Sequence, residues 1–143
     1  MNIGKLHLLI LHFPIALSIA TVAADLLWLA TRRAVFKNAG LYCLTAALIG
    51  AVPTVITGLL LLNSLKLEGE VAALADQHQD MGITTLCVLV AAAAARFNCH
   101  RWPRKWLLVI YAVLIAAVVV CVSITADLGG DVAFGEGYLS DMF

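Results

Sequence analysis

The stretch LHLLILHFPIALSIATVAADLLWLATRR, Leu6–Arg33, decides the fold. From Leu6 to Thr31 it is an almost unbroken apolar run, longer than the roughly 20 residues that cross a bilayer, and it stops at a double arginine. Backbone groups in lipid must pair within their own segment, so the run predicts a membrane-spanning helix. Lys5 and the small residues Ala20–Ala24 imitate a cleavable signal peptide. The apolar run continues through Leu29, which argues for a retained span.

Three further runs follow, predicting helices over about 6–31, 39–65, 76–97 and 105–127 and a Gly-rich tail over 128–143. The composition agrees: 63% of the 143 residues are hydrophobic and only 13% are charged, too few to coat a soluble globule of this size. The reading is an all-α, four-helix transmembrane bundle with up-down-up-down connections, a single domain over 1–143. No internal repeat stands out in the residue order. A net charge of zero, with no basic tail, speaks against nucleic-acid binding. The cysteines Cys43, Cys87, Cys99 and Cys121 have neither metal-ligand nor haem-attachment spacing.

Arg32, Arg33 and Lys37 occupy the first connection, and Arg96, Arg101, Arg104 and Lys105 surround the third. The opposite side holds Lys5 and Lys66 against Glu68, Glu70, Asp76, Asp80, Asp127, Asp131, Glu136 and Asp141. By the positive-inside rule, the first and third connections face the cytoplasm and both termini face outward. Trp28, Trp102 and Trp106 sit at the level of the basic loops, where indoles anchor spans.

Two histidines fall at nearly one depth. Counting 1.5 Å per residue from the basic loops, His12 lies about 30 Å above Arg32 and His78 about 27 Å above Arg96. Ionisable side chains at membrane depth usually face the bundle interior. Ala16, Thr57, Gly58 and Gly82 lie near this level and leave room for a flat ring. Haem b suits such a place, since it needs two axial imidazoles and an apolar slot, and bis-histidine ligation favours electron transfer. His12 and His78 are the expected axial pair and metal ligands. His7, five residues earlier, is the alternative ligand, a supporting hydrogen-bond partner or a quinone donor. Pro14 should bend the helix near both. Asp25 is an intramembrane carboxylate for which pairing with an arginine or a hydroxyl is the expected state.

The segments HLLILHFPIAL (His7–Leu17), ITG (Ile56–Gly58), His78 and LGGDVAFGEG (Leu128–Gly137) resemble the bacterial membrane proteins grouped as domain of unknown function 2231. The resemblance covers nearly the whole chain. It implies a four-helix fold and a b-type haem site in a redox setting, with His7, His12 and His78 at positions where the family has histidines. The closing motif departs from the family's Tyr-x-His-Gly, with Phe134 at the tyrosine and Glu136 at the histidine. The functional expectation is electron transfer beside a quinol or periplasmic cytochrome partner, without a catalytic site of its own. The competing expectations are a cofactor-free subunit of a larger membrane complex and a quinone-binding protein.

Overall fold

The computed structural model describes residues 3–102 and 104–134. They form four helices, α1 (Ile3–Thr31), α2 (Ala34–Ser64), α3 (Gly69–Arg101) and α4 (Lys105–Phe134). Each is long and apolar enough to cross a membrane. At 29 to 33 residues, they extend about 44–50 Å, which covers the hydrocarbon core and both headgroup layers.

The helices outrun the apolar segments because the helical backbone continues into the interface. α2 starts at Ala34 rather than near Ala39 because the α1–α2 connection is only Arg32 and Arg33. Arg32 takes φ 58° to make that turn. Glu68 and Gly69 (φ +65°) open α3 seven residues before the expected start. α4 continues past Asp127 to Phe134, so Gly129 and Gly130 lie inside the helix rather than opening a tail. The rest of the expected tail, 135–143, lies outside the described residues.

α1 packs along α2, and α3 along α4, as two antiparallel hairpins. The hairpins meet mainly along α2 and α3, whereas α1 and α4 barely touch. The core at mid-depth comprises Leu44, Ala47 and Ala51 of α2, Leu89 and Ala92 of α3, and Ile115, Val118 and Val122 of α4. Large apolar side chains such as Leu8, Leu9, Phe13, Ile19 and Leu26 are exposed on the outside of α1. In a membrane that surface belongs to lipid, so the interior can afford smaller and more polar residues.

The two hairpins share a spacing of buried positions. Under a shift of 71 residues the start of α2 at Ala34 falls on that of α4 at Lys105. Buried residues follow the same shift. Gly40, Leu44, Ala47 and Ala51 of α2 match Tyr111, Ile115, Val118 and Val122 of α4. Ser18, Thr21, Ala24 and Asp25 of α1 match Leu89, Ala92, Ala95 and Arg96 of α3. The side chains mostly differ, so the match lies in the burial pattern rather than in residue identity.

Candidate functional site

The interior face of α1 runs through His7, Leu11, Pro14, Ser18, Thr21 and Asp25, at alternating steps of three and four residues. That spacing is the seam a helix presents to close neighbours. His12 is 140° away from His7 on an ideal helix and is exposed, as is Ala16 one turn further on. The expectation that His12 turns inward is therefore corrected: its aliphatic neighbours mark a lipid-facing surface, and His7 takes the interior position. α1 also runs unbroken through Pro14. Pro14 rests its ring Cδ against Gly50 of α2, 3.5 Å from where a Cβ would be. The Ser18 hydroxyl donates to the Pro14 carbonyl at 2.7 Å.

His7 and Thr57 of α2 are joined by a 3.1 Å hydrogen bond between Nδ1 and Oγ1. The Thr57 hydroxyl lies 2.8 Å from the Pro53 carbonyl and 3.0 Å from that of Thr54. Its single proton is committed there, so its oxygen accepts and His7 Nδ1–H donates. Gly58 makes room for the ring, since a Cβ at that position would stand 3.1 Å from His7 Cε1.

His78 on α3 is held by α4, through a backbone carbonyl rather than a hydroxyl. Its Nδ1 donates to the Thr125 carbonyl at 2.9 Å, and a Cβ at Gly129 would stand 3.0 Å from its Cε1. A Cβ at Gly82 would stand 4.0 Å from the Thr125 methyl. Thr85 and Thr125 hydroxyls sit 3.0 Å apart, tying α3 to α4 at this level. With Nδ1–H engaged, the lone pair of each neutral ring resides on Nε2, the far side of the ring from its own anchor. A hydrogen-bonded Nδ1–H behind a free Nε2 is the usual state of a metal-ligating histidine.

The other end of the interior is ionic. Arg96 Nη2 donates to Asp25 Oδ1 at 2.6 Å and to the Lys37 carbonyl at 3.2 Å. The Tyr111 hydroxyl donates to Asp25 Oδ2 at 2.5 Å. Asp25 is 8% and Arg96 5% exposed, so both charges are withdrawn from solvent. The guanidinium also lies 4.9 Å from the Tyr111 ring centroid and 5.8 Å from that of Trp28. One cluster thus joins α1, α2, α3 and α4. Asp25 has the kind of partners expected of it, an arginine and a hydroxyl, but the arginine comes from α3. His7 precedes Asp25 by eighteen residues, and His78 precedes Arg96 by eighteen. With Asp25 and Arg96 in contact, this equal count sets both imidazoles at one level, about 27 Å away.

Compared with known proteins, residues 5–140 match the family model described as predicted membrane protein, DUF2231. The chain belongs to the DUF2231 family. No curated protein and no solved structure matches it. Of the residues expected at the site of this DUF2231 protein, His7, His78, Thr57, Gly58 and Gly82 line one end of the bundle interior, whereas His12 and Ala16 lie outside it. Thr54, Thr125 and Gly129 belong to the same place and were not expected there. Gly129 was read as tail, and the part of Thr54 and Thr125 is played by backbone carbonyls, which carry no residue-type signal. Among the described residues, no group of three or more histidine, cysteine or acidic side chains is poised to hold a metal ion. The histidine pair is the donor set to consider in this DUF2231 chain.

Proposed function

We propose that this integral membrane protein holds one b-type haem between His7 and His78 and serves as an electron carrier near the outer face of a bacterial inner membrane. One observation carries the reading: two imidazoles at a common level, on different hairpins, each with Nδ1–H engaged and Nε2 left for a ligand. The donor chemistry fits a haem iron, which takes two neutral nitrogen ligands. Gly58 and Gly129 fit too, because a side chain at either place would displace an imidazole. When bound, the haem supplies one-electron redox chemistry. The chain fixes the tautomer and orientation of the two rings and keeps water from them. His7 replaces His12 as the partner of His78.

The acidic residues Glu68, Glu70, Asp76, Asp80 and Asp127 are exposed near the histidine end. The positive-inside rule turns that end outward, where its field would attract a basic redox partner such as a soluble cytochrome. A quinol on the membrane side is the other electron source the setting allows.

The test is a reduced-minus-oxidised absorbance spectrum of detergent-purified protein expressed with ample haem. Soret and α bands that vanish in His7→Ala and in His78→Ala, and persist in His12→Ala, are expected. A folded, colourless protein would overturn the reading in favour of a cofactor-free subunit. Quinone copurifying without haem would do so in favour of a quinone site.

A further inference from the structure

The shared spacing described above is almost silent in residue identity. Under the 71-residue shift, the identities other than alanine are His7 with His78, Arg33 with Arg104, Thr54 with Thr125, and Gly58 with Gly129. Three of these four pairs meet at one end of the interior. In each hairpin the histidine comes from the first helix and has its Nδ1 engaged by the second, by the Thr57 hydroxyl in one and by the Thr125 carbonyl in the other. In each, the glycine, Gly58 or Gly129, leaves space for the ring edge. Elsewhere the matched positions mostly differ, even to opposite charges at Asp25 and Arg96. Packing alone does not single out these residues, because neighbouring core positions pack equally well with Leu44 against Ile115 or Ala47 against Val118 as the matched pair.

We infer that the protein is a fused pair of matching half-sites, in which Thr57 (its hydroxyl held by the Thr54 carbonyl) with Gly58, and Thr125 with Gly129, position His7 and His78 in the same tautomer toward a single ligand that takes two like nitrogen donors, one from each hairpin. This rests on reading the two histidines as a ligand pair. It deepens that reading by specifying the ligand: a centre with two equivalent open positions on opposite faces, such as the iron of a flat macrocycle. An oxidised quinone offers only oxygen acceptors, which the two Nε2 lone pairs cannot serve as donors. The glycines are positioning residues, because each acts on the ligand only through the imidazole beside it.

The experiment begins without haem. The full chain carrying His12→Ala and His100→Ala, purified from haem-deficient cells with ¹⁵N-labelled histidine, leaves His7 and His78 as the only imidazole signals. Both are expected as neutral rings protonated at Nδ1 and bare at Nε2. Hemin titration of the otherwise unmutated chain then compares three glycine variants. Gly58→Ala and Gly129→Ala are each expected to weaken binding by a similar factor, on the order of ten-fold. Gly130→Ala, with nothing within 4 Å of its added Cβ, should leave binding unchanged. Different tautomers in the two rings, or sensitivity at one of Gly58 and Gly129 alone, would overturn the equivalence even in a red protein. Two matched Nδ1–H rings in a chain that ignores hemin would support the half-sites and refute the haem.

Discussion

Asp25 and Arg96, on different hairpins and 2.6 Å apart, are the pair through which the two halves of this bundle register against each other. A buried ion pair is weak as net stabilisation but costly to break from one side, about 3–5 kcal/mol, since the remaining charge is left without a partner. Asp25→Ala and Arg96→Ala should each lower the thermal midpoint in detergent strongly. The double variant should lose less than the sum of the two. Additive losses would show that the charges do not act as a pair.

Tyr111→Phe removes the donor to Asp25 Oδ2 and leaves the ring stacked on Arg96. The expected cost is about 1–3 kcal/mol, read as a smaller midpoint shift than either charge deletion. The visible spectrum should stay unaltered, because the cluster and the histidines occupy opposite ends.

Two glycines in helices should respond in opposite directions. A Cβ at Gly40 would stand 2.6 Å from Asp25 Oδ1, so Gly40→Ala must push the carboxylate from its donors and is expected to cost about 1–3 kcal/mol. Gly130 has open space around it. There Ala restricts the unfolded chain and favours the helix, with an expected gain of up to about 1 kcal/mol. Unfolding midpoints of the two variants check both signs.

Orientation can be read chemically. In a chain with Cys43, Cys87, Cys99 and Cys121 replaced, a cysteine at Lys66 should react with an impermeant maleimide added outside intact spheroplasts. A cysteine at Arg33 should react only after lysis. The reverse pattern would place the histidine end in the cytoplasm.

Exposed carboxylates beside the site set the expectation for a basic partner. Association with a basic soluble cytochrome should weaken steeply as ionic strength rises through the range where the screening length shrinks to about 8 Å. Binding that ignores salt would remove the electrostatic argument.

The four spans were legible because length and apolarity suffice to mark them, and their ends moved only where polar residues remain helical at the interface. The inward face of α1 was harder to read. In a soluble helix the aliphatic side is buried, and His12 among Leu9, Phe13 and Ala16 looks interior by that standard. Lipid reverses the rule, and the polar series His7, Ser18, Thr21 and Asp25 was the signal for the buried side. An arginine or a hydroxyl was expected beside Asp25 without a position, and the equal eighteen-residue spacings from two histidines are the signal that points to Arg96. The shared spacing escaped notice because alanine-rich spans match one another at many shifts, which hides a few meaningful coincidences.

The opposite signs at Asp25 and Arg96 also bear on how the chain is made. The first hairpin holds Asp25 on its interior face, and the cation that pairs with it, Arg96, comes from the second hairpin. Two half-synthesised chains meeting there would press acid against acid, a contact that costs rather than gains. The emerging second hairpin brings the cation, so the chemistry steers each nascent polypeptide toward completing itself instead of mating with a neighbour's unfinished copy.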